Sequence, residues 1–284
     1  MKMAMEEIYS HPDMHDPELE FKFLLGKIQR TKSIDFSLYR PGTLKRRIQS
    51  RLRATGCSSY SEYLLYLNKN SHEYDLLLDA MTINVTEFFR DSATFACLEK
   101  NVIPEIIRMK ERSGKKVIRV WSAGSSYGEE AYSLAMLFSE ALKEKMPRFY
   151  LRIFGTDIDA NCIQVAKQGV YSREQVKKIP AFLLEKYFSF TGSGYELESG
   201  IKDIVRFSLH NLVSDNPLGP MDLILCRNVL IYFKRPLQES VCRNFYKTLH
   251  EDGFLVLGKV ESLMGWAFAG LNTINLQERV YQKK

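Results

Sequence analysis

Residues 117–132, VIRVWSAGSSYGEEAY, constrain this chain more than any other stretch. β-Branched residues at 117, 118 and 120 fit a buried strand that breaks at Ala123-Gly124. A turn of small residues then leads to Gly128-Glu129-Glu130, where apolar positions 134, 135, 137 and 138 begin an amphipathic helix. A strand-turn-helix of this kind usually holds a small molecule at the carboxyl end of its strand. The glycines first point to a phosphate, because free N–H groups and the helix dipole attract an anion there. The carboxylates at 129 and 130 oppose that reading, since they occupy the positive end of the helix themselves, and the glycines are spaced G-x3-G rather than G-x-G-x-x-G. A cationic ligand fits better. S-adenosylmethionine carries an ammonium and a sulfonium, and a carboxylate at the turn can pair with either. The plainer alternative is that both glutamates only complement the helix dipole, worth about 0.3–1 kcal/mol each.

The rest of the chain weighs on that choice. Its 284 residues, 45% hydrophobic and 26% charged, suffice for one large folded domain or two smaller ones. No apolar run reaches membrane-spanning length, because Arg227 and Asn228 interrupt LILCRNVLIYF, and the first eighteen residues lack the apolar core of a signal peptide. Cysteines at 57, 97, 162, 226 and 242 form no C-x-x-C pair, which suits a reducing cytoplasm; His11 and His15 sit in a Pro/Asp-rich start, and no metal site is expected. The net charge of +6 is unevenly placed: positions 27–53 hold nine basic residues against Asp35 alone. An acidic partner is implied for that region.

After a start expected to be poorly ordered (1–17), residues 18–91 read as a helical domain and linker. Leu44, Ile48 and Leu52 form a core-facing stripe behind Thr43, a possible cap, with Lys45, Arg46, Arg47, Arg51 and Arg53 around it. Such a run is most often a solvated face, but the absence of interspersed acids favours a docking surface for phosphate or an acidic protein. In TINVTEFFRD, 82–91, polar Asn84, Thr86 and Arg90 emerge between apolar anchors, either lining a pocket or capping a connecting helix. From 92 to 284 strands alternate with helices: 150–159, 203–212, 221–233 and 253–258 read as strands, implying a parallel sheet covered on both faces. The acid ending the second strand, Asp157 or Asp159, is placed for a ribose, although Asp159 also reads as a helix cap. Residues 186–208 look like a small antiparallel insertion.

TINVTEFFR, RVWSAGSSYGEEAYSLAM, GTDID, HNL and CRNVLIYF stand together in an order and spacing that resemble the CheR family of chemotaxis receptor methyltransferases across nearly the whole chain. The resemblance implies an N-terminal all-helical domain, a class I, Rossmann-like methyltransferase α/β sheet and a small β insertion. It implies contacts to S-adenosylmethionine, and to its product S-adenosylhomocysteine, from Asn84, Thr86, Arg90, Glu130, Asp157, Asn211, Leu212, Asn228 and Val229. Glu130 would take the amino group, Asp157 the ribose and Asn211 with its neighbour the adenine edge; Arg90 and Tyr232 would lie near the transferred methyl. The acceptor would be a glutamate of a methyl-accepting chemotaxis receptor. Its acidic helical bundle would dock on Arg46, Arg47, Arg51 and Arg53, leaving the enzyme, a monomer, peripheral to the membrane only through the receptor. The chain departs from the family's GEEPYS at Ala131, from the small residue usual before that glycine at Tyr127, and from GHSES at Lys259, and the short loop of its insertion argues against dependence on a receptor's C-terminal pentapeptide. Two rival readings stay open: a nucleic-acid methyltransferase, for which no N/D-P-P-Y/F follows the fourth strand, and a non-catalytic S-adenosylmethionine sensor.

Overall fold

The computed structural model describes residues 16–82, 84–263 and 267–284, so the loose start expected at 1–17, with His11 and His15, lies almost wholly outside the described residues. The chain divides into two units, one running to residue 83 together with Tyr232–Lys234, the other comprising Asn84–Ile231 and Arg235–Lys284. Residues 84–91, expected to close the helical domain, go with the second unit instead.

The first unit holds helices α1 (Pro17–Lys32), α2 (Pro41–Thr55), α3 (Tyr60–Lys69) and α4 (Glu73–Met81). Asp16 caps α1 by accepting the Glu18 N–H, and Ser59 caps α3 through Glu62. α2 starts earlier than Thr43 suggested: Pro41 supplies the first turn, where its missing N–H costs nothing, and no side chain caps it. Phe21, Leu24, Ile28, Leu44, Ile48, Tyr63, Leu67 and Leu77 make the core. Each such side chain contributes about 1.5–3 kcal/mol by leaving water. Tyr39 bridges to Phe233 in antiparallel register with their rings 4.9 Å apart, and Arg40 N–H donates to the Tyr232 carbonyl at 2.8 Å. The end of CRNVLIYFK is thereby tied to the helical unit.

The second unit opens with α5 (Ser92–Cys97) and α6 (Ile103–Ser113), then β1 (Val117–Ala123), α7 (Glu129–Leu142), β2 (Tyr150–Asp157) and α8 (Ala160–Gln168). The insertion follows: β3 (Val170–Tyr171), α9 (Arg173–Val176), α10 (Ala181–Tyr187), β4 (Phe188–Phe190), β5 (Tyr195–Leu197) and α11 (Ser199–Lys202). The chain re-enters the main sheet through β6 (Val205–Leu209) and β7 (Met221–Cys226), then finishes with α12 (Arg235–Thr248), β8 (Leu249–Leu257), α13 (Ala267–Gly270), β9 (Leu271–Asn275) and β10 (Val280–Lys283). The main sheet is seven-stranded in the order β6-β2-β1-β7-β8-β10-β9, parallel through β8 and antiparallel beyond it.

The three-stranded insertion sheet, β3-β5-β4, begins at Val170, well before the expected 186, and releases the chain before Val205. Its two-residue first strand is too short to show alternation in sequence. The expected strand 221–233 ends at Cys226, because Asn228 takes a left-handed φ of 61° and the following N–H groups turn away from the sheet. β1 goes outward to β2 and β6, whereas β7 lies on the other side of β1. The carboxyl ends of β1 and β7 therefore flank the topological switch point where open α/β sheets bind ligands.

Candidate functional site

The turn after β1 is shaped by close backbone approach. Gly124 has φ +80°, and a Cβ there would lie 2.4 Å from Val229 Cγ2, so only glycine lets the two loops meet. Gly124 and Ser125 N–H both donate to the Thr156 carbonyl at 2.8 Å, tying this turn to the end of β2. Phe89, Asp91, Ser126 and Asn228 are all non-glycine residues at positive φ, a conformation costing about 1–2 kcal/mol each that persists because their partners over-determine it.

A buried arginine collects several of these elements. Arg227, just beyond β7, has a side chain only 2% exposed; it donates to Asp91 Oδ2 at 2.6 Å, the Arg90 carbonyl at 2.9 Å and Glu130 Oε2 at 3.2 Å. Ser122 Oγ donates to the other Glu130 oxygen at 2.7 Å. Arg90 spends Nη1 on the Val85 carbonyl at 2.7 Å, which folds its loop back on itself. On the far side of that loop, Asn84 Nδ2 donates to Asp159 Oδ2 at 2.7 Å. Asp159 also caps α8 by accepting the Asn161 and Cys162 N–H groups, as its position suggested. Neither Asn84 nor Thr86 caps a helix, because 84–87 forms no regular element and no helix starts there.

Asp157 is buried, and its oxygens accept N–H from Ser126 at 2.8 Å and Asp159 at 3.1 Å; burial nonetheless pushes its carboxyl up from the ordinary aspartate range. Its carbonyl accepts the His210 N–H at 2.8 Å, which sets Asn211 beside the end of β2. Asn211 is fixed in a local turn, its Oδ1 accepting Val213 N–H and its own N–H donating to Asp215, with Leu212 half-buried between them. Asn228 and Val229 are set by a residue that sequence reasoning gave no role. The buried Glu261 accepts Asn228 N–H (3.0 Å) and Gly258 N–H (2.7 Å) on one oxygen, and Val229 (2.9 Å) and Ile231 (3.3 Å) on the other.

The structure thus brings Asn84, Arg90, Glu130, Asp157, Asn211, Asn228 and Val229 to one end of one sheet, whereas Tyr232 belongs to the other unit. Arg51 must be taken out of the expected docking set: its guanidinium forks onto Glu73 at 2.9 and 2.8 Å, and Tyr63 OH donates to the same carboxylate at 2.6 Å. That arginine neutralises a buried acid and so holds the helices together; Arg46 and Arg53 are exposed and Arg47 half-buried. Arg227 was missed although it lies inside CRNV. Its signal was a lone arginine in an apolar run, which burial permits only with carboxylate partners.

Several polar atoms at this end of the sheet have no partner among the described residues. Ser125 Oγ, Ser126 Oγ and Asn228 Oδ1 are buried and unpaired, as is one oxygen of Glu129, whose carboxyl burial pushes up to about 7. Acceptors and hydroxyls of this kind, together with the Asp157 and Glu130 carboxylates, suit a ligand rich in hydroxyl and ammonium donors. S-adenosylmethionine is such a ligand.

Comparison with known proteins agrees with that chemistry. Two family models match, the CheR methyltransferase all-alpha domain over residues 19–82 and the CheR methyltransferase SAM binding domain over residues 84–273. A chemotaxis protein methyltransferase of Borreliella burgdorferi is 30% identical over 87% of this chain and 89% of its own length. Chemotaxis protein methyltransferase 2 of Vibrio cholerae is 36% identical over 77% of this chain and 76% of its own. An uncharacterized 104.1 kDa protein of Rhodobacter capsulatus is 36% identical over 84% of this chain, but the match spans only 25% of that protein's length. A parallel sheet whose first turn admits only glycine, whose strand ends carry unpaired acceptors, and whose two units match the two domain models makes this chain a member of the CheR methyltransferase family, with S-adenosylmethionine as its cofactor.

Proposed function

We propose that this protein transfers a methyl group from S-adenosylmethionine to glutamate side chains of chemotaxis receptors. When bound, the cofactor supplies an electrophilic methyl on a sulfonium. The acceptor glutamate, with an ordinary pKa near ~4.3, is already ionised at neutral pH and needs no general base. One observation carries this reading: among the described residues, the end of the sheet offers carboxylates and hydroxyls but no thiolate and no ready imidazole. Burial pushes the Cys226 thiol well up, and burial lowers His210, whose ring stands edge-on to Trp121 at 5.5 Å. Chemistry left to such a site is orientation and electrostatic matching.

In this proposal Asn84, Thr86, Glu130, Asp157, Asn211, Leu212, Asn228 and Val229 hold the cofactor, and Arg90 and Tyr232 orient the carboxylate beside the methyl. Arg46, Arg47 and Arg53 on α2 face the acidic bundle of the receptor; the positive character of that helix, with no acid in its fifteen residues, supports the assignment. The protein works in the cytoplasm, and among the described residues no helix is long and apolar enough to cross a membrane. The test is transfer of labelled methyl to receptor-containing membranes, with RNA as the competing acceptor. Label on RNA would indicate a nucleic-acid methyltransferase, and label on neither a sensor. Arg90→Ala should abolish transfer without unfolding the protein, and near-normal turnover would remove Arg90 from the mechanism.

A further inference from the structure

Among the described residues, one face of the main sheet is only partly covered. The connections from β1 to β2 and from β2 to β6 both move outward, and right-handed crossovers place α7 and α8 on one face, where Phe207 packs against Tyr132 with ring centroids 5.2 Å apart. The return from β6 to β7 passes the opposite face, and residues 210–220 contain no helix. α12 serves part of that face, with Phe245 edge-on to Trp121 at 5.4 Å. Over the amino-terminal halves of β1, β2 and β6 it lies open: Val117 is 45% and Tyr150 56% exposed, and Arg206 is exposed on β6. Parallel sheets normally bury both faces.

Strand register sets what this strip presents. Val117 pairs with Tyr150, Arg119 with Arg152, and Phe154 with Arg206. Arg119 and Arg152, side by side on neighbouring parallel strands, set two positive charges together. None of the three has a carboxylate partner among the described residues, and Arg119 Nε is buried without any acceptor. Arg119 stacks over the Phe154 ring at 4.7 Å and Arg152 over the Tyr150 ring at 5.0 Å. The guanidinium groups are therefore held in place, and each covers one face of its ring. Single-stranded nucleic acid stacks its bases on open ring faces, and here one face of each ring is already taken by an arginine. Arg152 already spends Nη1 on the Asp203 carbonyl at 2.6 Å and Nη2 on the Tyr150 hydroxyl, so what the strip offers a carboxylate is fixed positive charge together with the remaining N–H groups of Arg119 and Arg206.

From this geometry we infer that the open face of β1, β2 and β6 docks an acidic amphipathic helix of a partner protein, which takes the place of the absent crossover helix. Three strands at about 4.8 Å spacing make a strip roughly 10 Å wide, the breadth of one helix. Its apolar stripe would lie on Val117 and the exposed part of Tyr150, and its carboxylates beside Arg119, Arg152 and Arg206. This surface does not depend on methyl transfer.

The test is fluorescence anisotropy of the full chain with a labelled peptide of about 18 residues, a length of some 27 Å as a helix, bearing a leucine stripe flanked by glutamates. Binding should weaken about tenfold or more in Arg152→Glu/Arg206→Glu, and also in the milder Arg152→Gln/Arg206→Gln, with cofactor binding by calorimetry unchanged. Bound peptide should protect Arg119, Arg152 and Arg206 from phenylglyoxal. The inference is overturned if the peptide fails to bind, if the charge-reversed protein binds it equally, if protection falls on Arg46 and Arg53 instead, or if oligothymidylate of similar length binds more tightly.

Discussion

Replacing Glu261 by glutamine changes one atom, yet it should disable the loop that presents Asn228 and Val229. Both oxygens of this buried carboxylate accept two backbone N–H groups, from Asn228 and Gly258 on one side and from Val229 and Ile231 on the other. The amide NH2 must occupy one of the two positions, so it faces two N–H donors whichever way it is turned. Two charge-assisted bonds, each about 1.5–3 kcal/mol, are lost and two buried donors are left unpaired. Relaxation of the loop and entry of water recover part of this, leaving an expected destabilisation of about 2–4 kcal/mol by urea unfolding. Because the perturbed N–H groups belong to the expected cofactor contacts themselves, calorimetry at temperatures where the variant is fully folded should show S-adenosylhomocysteine bound about tenfold or more weakly. Glu261→Asp, which keeps four lone-pair sites but shortens the reach, should fall between the two. A glutamine variant that unfolds at the wild-type urea concentration and binds the product normally would refute the reasoning.

Glu129 gives a pH signature. Burial raises its folded pKa to about 7 from the ordinary 4.5, so the unfolded chain loses this proton first and stability falls as pH rises between those values. Glu129→Gln should remove that loss, on the order of 3 kcal/mol when urea midpoints at pH 5 and 8 are compared, and an unchanged slope would count against a buried carboxyl there. Gly124→Ala forces a Cβ to 2.4 Å from Val229 at φ +80°; thermal melts should show a loss of about 2 kcal/mol or more, and cofactor titration a weakened site. Arg51→Ala should cost roughly 3–5 kcal/mol because it strands the buried Glu73, whereas Arg46→Ala should stay within about 0.5 kcal/mol of wild type; equal melting of the two would reverse their assignment.

Much of the fold was legible because local chemistry and tertiary position agree. The stripe Leu44, Ile48 and Leu52 is buried as its spacing requires, and the strand-turn-helix at 117–132 sits at the switch point of the sheet. Where sequence reading went astray, a long-range partner overrode a local pattern. Apolar residues run on from β7 to Phe233, so nothing local ends the strand at Cys226; it ends because Glu261, more than thirty residues away, takes the N–H groups that a sheet neighbour would otherwise bind. β3 was invisible for the opposite reason, since two residues have no periodicity. Residues 84–91 read as the end of the helical domain and its linker, but Asn84 bonded to Asp159 and Asp91 paired with Arg227 attach them to the sheet.

The candidate site divides along the same line. Residues that would touch a ligand stand at the carboxyl end of the sheet and advertise themselves as polar groups: Asp157 closes β2, Asn211 follows β6, and Glu130 sits in the first turn of α7. Residues that hold those loops are buried charges, Arg227 and Glu261, and a single sequence gives a buried charge no mark beyond its apolar neighbourhood. Their partners explain why they are charged at all. Each satisfies several groups that point in fixed directions: Arg227 reaches two carboxylates and a carbonyl, and Glu261 four N–H groups. No apolar residue of similar volume could replace either without leaving those groups unpaired in the interior. The positive-φ residues Asp91 and Asn228 are the ones these two side chains hold, so the strained backbone and the buried charges form one structure, in which the charges stabilise loop conformations that local preference disfavours.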